Sequence, residues 1–289
     1  MRTSFWTALA AVVLTAGVRA EDTYTIKLKP APDVGKTITV KDTETVTHSD
    51  KVTDPDGNVS PIKDGKKHTV TVDEVYTETV LENGDKVPNK YKRTYEKATR
   101  KVDSKTEARS YEGRTLVFEK KDGKYTVTPE GDKPVSKEDL AGLTRKANAN
   151  SGAQDEVFLP SKPVKVGDSW KIEGKKIVEA FSGDWDAEKS GGEAKLTKVY
   201  QKDGHQFGTI VLMVKMEPGK LPKGVTFEKP PVMEMKVTLD AAIDGTSAAG
   251  VMSVAWSTAT KGTNEQMGKK FAFESSFEIS ARKEQSAEK

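Results

Sequence analysis

Cysteine is absent from all 289 residues. Its absence excludes disulfides, thiol nucleophiles, redox pairs, cysteine-based zinc sites and a lipid anchor on an N-terminal cysteine. Charge of one sign is missing as well, since 47 basic residues face 44 acidic ones. Runs such as Lys97 to Arg109 alternate in sign and read as solvated faces. A nucleic-acid partner would ask for a one-signed patch, so none is expected. No stretch after the first twenty residues is apolar enough to cross a hydrocarbon core of about 30 Å, and no transmembrane segment is expected in the mature chain. No glycine-rich phosphate loop, His-Glu-x-x-His or nucleophile elbow is present, so the sequence assigns no catalytic, metal or cofactor residue.

What is present begins with an address. Met1-Arg2 is a short basic start, Phe5 to Val18 is an apolar run, and Val18-Arg19-Ala20 sets small side chains where a signal peptidase reads. Residues 1–20 are therefore expected to be a signal peptide, cut between Ala20 and Glu21, with the mature chain periplasmic or extracellular. Losing Arg2 and Arg19 leaves 45 basic against 44 acidic residues. Export without cysteine fits a bacterial envelope protein.

The mature chain alternates with period two, the mark of half-buried strands. Ile38, Val40 and Val46 are even-numbered, and Thr37, Thr39, Thr43, Thr45 and Thr47 are odd. The next strand repeats the pattern, with Val70, Val72, Tyr76 and Val80 against Thr69, Thr71, Thr77 and Thr79. One face is apolar and the other is threonine, which favours strands while facing water. Asn83-Gly84 signals a two-residue hairpin that would set Val80 opposite Val87, Tyr76 opposite Tyr91 and Val72 opposite Tyr95. A meander over 36–101 follows. Asp122-Gly123 would pair Phe118 with Val127. Asp203-Gly204 would pair Tyr200 with Phe207 and Leu196 with Val211. The strand from Phe207 to Met216 is apolar on both faces and is expected to be covered on both. Phe271, Phe273, Phe277 and Ile279 share one parity, so a last strand is expected to pack them on the core.

Helices are few. Ser136 is an N-cap candidate for a helix over 136–147, with Glu138 and Asp139 in its first turn and Leu140 and Leu143 on one side. A second is expected between Gly174 and Ser182, on Ile177 and Phe181. Residues 148–156 read as a loop and 282–289 as a disordered tail. Residues 21–281 are expected to form a single β-rich domain, because the first half looks too poor in large apolar residues to close its own core.

The segment Pro163-Val164-Lys165-Val166-Gly167-Asp168-Ser169-Trp170 resembles a Pro-Val-x-Val-Gly-Asp-x-Trp motif in a family of uncharacterised exported bacterial proteins. The close match covers about a dozen residues, from Leu159 to Trp170. The resemblance implies one exported β-rich domain and no activity. Physically, Pro163 and Gly167 turn the chain and Trp170 enters the core.

Other features carry a duller reading that is preferred. His48 and His68 would face each other in a hairpin centred on Asn58, but no third metal ligand is specified. His205 follows a turn. Asp54-Pro55-Asp56-Gly57-Asn58 lacks the closing glutamate of a calcium loop and reads as a β-turn. Ser60 and Lys63 have the spacing of a nucleophile pair in a polar loop, and Asp184-Trp185-Asp186 reads as a loop around a partly buried tryptophan. All six mature methionines fall in the second half. With Phe207, Phe227, Phe271, Phe273 and Phe277 they would line a cavity or fill a core, and a core is preferred.

The expected fold is mainly β: about 10–12 long antiparallel strands in a curved open barrel or clam with one or two short helices, or else a two-sheet sandwich. The expected function is that of a non-catalytic exported envelope protein whose partner is an apolar or amphipathic small molecule, such as a lipid, held on the concave face. The alternative is a structural or interaction module using the threonine face. A hydrolase ranks last, since no nucleophile–base pair or metal set is visible.

Overall fold

The computed structural model describes residues 22–85, 87–150, 155–181 and 183–289. The signal-peptide expectation therefore lies outside the described residues. The first half folds as β1 (Thr37–Thr53), β2 (Val59–Glu82), β3 (Lys90–Val102), β4 (Lys105–Ala108), β5 (Thr115–Lys121), β6 (Lys124–Pro129) and helix α1 (Lys137–Asn150). The second adds β7 (Ser169–Glu173), helix α2 (Gly174–Ala180), β8 (Gly191–Lys202), β9 (His205–Met216), β10 (Val225–Phe227), β11 (Met233–Ala242), β12 (Gly250–Gln266) and β13 (Lys269–Gln285). These strands form one 13-stranded antiparallel sheet, open rather than closed into a barrel. Its order is β6-β5-β3-β2-β1-β13-β12-β11-β9-β8-β7, with β4 on β3 and β10 on β12. The first and last strands thus meet at the centre, and each half of the chain forms one wing.

Turn chemistry sets much of the register. Asp122-Gly123 and Asp203-Gly204 adopt positive φ at both positions, as a tight hairpin of this hand requires. They pair Phe118 with Val127 and Tyr200 with Phe207, as expected. The irregularity after Leu196 moves its partner from Val211 to Ile210. The Asn83-Gly84 register is corrected by four residues: Val80 pairs Tyr91, Tyr76 pairs Tyr95, and Glu82 pairs Lys90. Pro88 is the physical reason, because it has no N–H to give the ladder. The loop instead closes through Asn89 N to Glu82 O at 2.9 Å, and the Pro88 carbonyl accepts the Tyr125 hydroxyl. A bulge at Val75/Tyr76 then gives β3 one extra residue, which brings Ala98 to the face of Tyr95.

Paired residues share a face, so the sheet can be read in rungs. One rung runs Ile172–Gly192–Val214–Met235–Trp256–Ile279–Val46–Val70–Val102, apolar throughout across nine strands. Gly192 is its one gap, and a Cβ there would stand 3.3 Å from Ile177 of α2. The missing side chain lets that helix seat on the sheet.

Two cores sit on this one face. The N-terminal cluster gathers Tyr76, Tyr91, Tyr95, Tyr111, Leu116, Phe118 and Tyr125 under Leu143 and Ala147 of α1. The C-terminal cluster gathers Leu196, Ile210, Leu212, Val214, Met216 and Met235 under Ile177, Val164 and Ile26. The first half therefore closes its own core, against expectation: five tyrosines supply the area that aliphatic residues do not. Ser136 caps α1 as expected, with Asp139 N bonding its Oγ at 3.1 Å. Buried Asp139 accepts Ser110 N and Oγ at 2.8 and 2.6 Å and pairs with Arg109. α1 runs three residues past the expected end, into the stretch read as a loop.

Three other expectations change. β9 is covered on both faces only at its start, where Phe207 is buried, and its second face opens to Met213, which is 52% exposed. Phe271, Phe273, Phe277 and Ile279 share a face but join neither core cluster. The tail from Arg282 is ordered, because β13 continues to Gln285 beside Val40, and Ser286 N and Lys289 N donate to Thr39 O and Thr37 O.

Candidate functional site

The apolar rung shows where the sheet is covered. Ile172, Val214 and Met235 are 3–7% exposed beneath the C-terminal layer. Trp256, Ile279, Val46 and Val70 are half-buried, and Val102 reaches 37%. Ile279, Val46 and Val70 belong to neither core. Trp256 leans on the C-terminal cluster and meets Phe277 edge-on at 5.2 Å. Its Nε1 is buried without an acceptor. The central strands thus carry an apolar band between two roofed wings.

A charged cluster borders this band. The rung two steps away reads Leu196–Ile210–Leu239–Met252–Lys283–Asp42–Glu74–Ala98, turning from apolar to ionic at Lys283. Lys146 of α1 reaches Asp42 at 3.0 Å and Glu74 at 3.2 Å. Tyr111 donates to Glu74 at 2.6 Å. Burial works against the Lys146 charge, but Glu74 and Asp42 outweigh it and hold its pKa above the usual lysine range. Arg93 donates to Glu78 at 2.8 Å, and its guanidinium lies 4.6, 5.1 and 4.9 Å from the ring centres of Tyr76, Tyr91 and Phe118. Each of these two cations is matched to a carboxylate, as buried charges must be. Lys283 is not: it has no hydrogen bond or ion pair among the described residues. Burial, reinforced by Arg93 and Lys146, pulls its pKa below the usual lysine range against the opposing pull of Glu78 and Asp42.

The opposite face is hydroxylic, as its alternation predicts. Thr37–Thr79, Thr45–Thr71 and Thr94–Thr115 join across strands at 2.8, 3.1 and 2.9 Å. A shallow depression of about 340 Å³ crosses it, lined by Thr45, Ser280 and Ala255 with Lys236 and Arg282.

His48 and His68 are directly paired, with ring centres 5.6 Å apart. His68 Nδ1 lies 3.2 Å from Asp103. No group of three potential ligands converges on a metal among the described residues. His205 meets Thr246 at 2.8 Å. Asp54 accepts from Asp56 N and Asn58 N, closing the expected turn. Ser60 and Lys63 lie in β2 rather than a loop. Asp186 caps Glu188 N and Lys189 N, and Trp185 packs on the C-terminal core. Methionine and phenylalanine are not gathered into one cavity: Met216 and Met235 fill a core, Met213, Met252 and Met267 are exposed, and Phe227 and Phe273 meet at 5.7 Å beside Gly262. In the Pro163–Trp170 segment, Gly167 takes φ +97° and donates to Leu196 O, Lys165 N bonds Asp168, and Trp170 Nε1 bonds Phe158 O. The motif thus builds a turn that docks an edge strand.

The ionic cluster escaped sequence reading, although a signal existed. Asp42, Glu44, Glu74 and Glu78 occupy the even, apolar parity of β1 and β2. No described helix is long and apolar enough to cross a membrane. No family model matches the chain, and no curated protein matches it.

Proposed function

We propose that this protein is a non-catalytic, exported binder of an amphipathic molecule, held on the central apolar band. The carrying observation is the rung Trp256–Ile279–Val46–Val70, half-buried and unroofed where Ile172, Val214 and Met235 of the same rung are buried beneath the C-terminal layer. Exposed contiguous apolar surface on a folded chain marks an interaction site. The ionic groups beside it give an amphiphile a polar end to address. The leader-like first twenty residues and the Pro163–Trp170 motif support export.

The test is mass spectrometry of solvent extracts from the full chain purified from its native source, with displacement of a fluorescent amphiphile in vitro. A stoichiometric amphiphile, lost in Ile279→Asp, is expected. Buffer components alone, with no displaceable binding, would overturn the reading. A second reading, a contact module of the envelope, rests on the depression in the threonine face. Pull-down of a protein partner that Thr45→Lys abolishes and Ile279→Asp leaves intact would favour it.

A further inference from the structure

We propose that the seam between β12 and β13 takes a long-chain carboxylate, its head at Lys283 and its chain along Ala281, Ile279 and Phe277. This rests on the amphiphile reading above and specifies its ligand. The seam is defined by four successive pairs on the apolar face: Met252–Lys283, Val254–Ala281, Trp256–Ile279 and Thr258–Phe277. From Lys283 to Phe277 is six residues, roughly 20 Å of strand. That is a linear apolar track ending in a cation, which suits one extended chain rather than a branched or multi-chain lipid.

Charge selects the head. Four cations stand in this region: Arg93 is matched to Glu78 and Lys146 to Asp42 and Glu74, while Arg100 on β3 and Lys283 on β13 make no ion pair among the described residues. Of these two, only Lys283 borders the apolar seam; its side chain is half-buried, and Asp42, its cross-strand neighbour on β1, makes its ion pair with Lys146. A half-buried ammonium with no direct ion pair or hydrogen bond is under-satisfied, and a ligand carboxylate supplies both. The other charged groups on this face include Asp42, Glu44 and Asp50 on β1, Glu74 and Glu78 on β2, Arg93 and Arg100 on β3, and Lys146 on α1, all on the β1 side of the seam. Met252 and Val254, its β12 neighbours, carry no charge. The head therefore enters from the β12 side, where Met252 is 39% exposed, and stays clear of the β1 carboxylates. A single anionic charge matches the one amine that borders the seam, whereas a doubly charged phosphate head would over-fill it.

The experiment is competition against a fluorescent amphiphile with the full chain lacking residues 1–20, using palmitate, hexadecylamine and lysophosphatidylcholine. Wild type, Lys283→Met, Lys283→Arg and Ile279→Asp are compared, each first shown to melt cooperatively. Palmitate is expected to bind about tenfold tighter than hexadecylamine, and Lys283→Met to weaken palmitate about tenfold while leaving hexadecylamine within about twofold. Lys283→Arg restores palmitate binding, and Ile279→Asp weakens every ligand. Palmitate binding that is indifferent to Lys283→Met, or hexadecylamine binding as tightly as palmitate, overturns the carboxylate assignment while leaving the amphiphile reading intact. Wild type that binds none of the three overturns both.

Discussion

The N-terminal wing buries five tyrosines around one arginine; the C-terminal wing buries methionine, leucine, isoleucine and valine with no fully buried tyrosine. Both lie on the same face of the same sheet, yet they solve burial differently. The N-terminal half has little aliphatic area, so it uses rings that bring hydroxyls inside: Tyr111 is met by Glu74 and Tyr125 by the Pro88 carbonyl, while the Tyr95 hydroxyl is buried without a partner. Its ion pairs follow, because Glu74 and Glu78 drawn into that layer require Lys146 and Arg93. The C-terminal half pays no such polar cost and packs by shape. One wing is held by partners that cannot be removed singly, the other by volume that can be exchanged.

The largest expected effect breaks a partner. Glu78→Leu leaves Arg93 buried among Tyr76, Tyr91 and Phe118 without its carboxylate, and should lower urea stability by about 3–5 kcal/mol at unchanged m. An effect under about 1 kcal/mol would show that the rings alone hold the guanidinium. In the C-terminal wing, Ile177→Ala, at a fully buried site, should cost about 2–5 kcal/mol, whereas Met216→Leu should cost under about 1.5 kcal/mol. A Met216→Leu loss as large as that of Ile177→Ala would contradict packing by exchangeable volume.

Alkali separates the wings next. Burial raises the folded-state pKa of Tyr76, Tyr91 and Tyr111, and pushes Tyr95 up to about 12. The folded chain then keeps phenolic protons that the unfolded chain releases near pH 10. Stability from these groups is full below about pH 10 and falls as pH rises toward each folded value, by at most ~1.4 kcal/mol per pH unit for each tyrosine. All tryptophans after residue 20 lie in the second half, and Tyr24 and Tyr200 are the two tyrosines outside the N-terminal core, so in a Tyr24→Phe, Tyr200→Phe protein tyrosinate absorbance reads one wing and tryptophan emission the other. Tyrosine ionisation should precede the change in emission; coincident transitions would make the wings one cooperative unit. The smallest effect concerns the roof of the N-terminal wing: Ser136→Ala should lower thermal stability by about 1 kcal/mol through loss of the cap on α1.

Alternation and turn chemistry made most of the sheet legible. Phe118 opposite Val127 followed from parity and turn residues, because a strand's side-chain period is rigid, whereas His48 comes opposite His68 only through two register shifts between Ser49 and Thr53. The first hairpin was misread because Pro88, downstream of a strong Asn-Gly signal, vetoes ladder pairing. The candidate site was the least legible part. Charges at apolar parity, Asp42 and Glu74 above all, resemble solvated positions until the sheet order places Lys146, Arg93 and Lys283 over them. Lys283 was further hidden in a charged C-terminal stretch whose composition resembles a disordered tail, and pairing with β1 and β12 orders it.

Availability of the central band is tested most directly by quenching Trp256 with acyl chains brominated at defined positions, in a protein carrying Trp170→Phe and Trp185→Phe. Saturable quenching of Trp256, absent for Trp170 and Trp185 in a Trp256→Phe protein, is the predicted result. Quenching confined to Trp170 and Trp185, or no quenching at saturating amphiphile, would contradict an open apolar band between two covered wings.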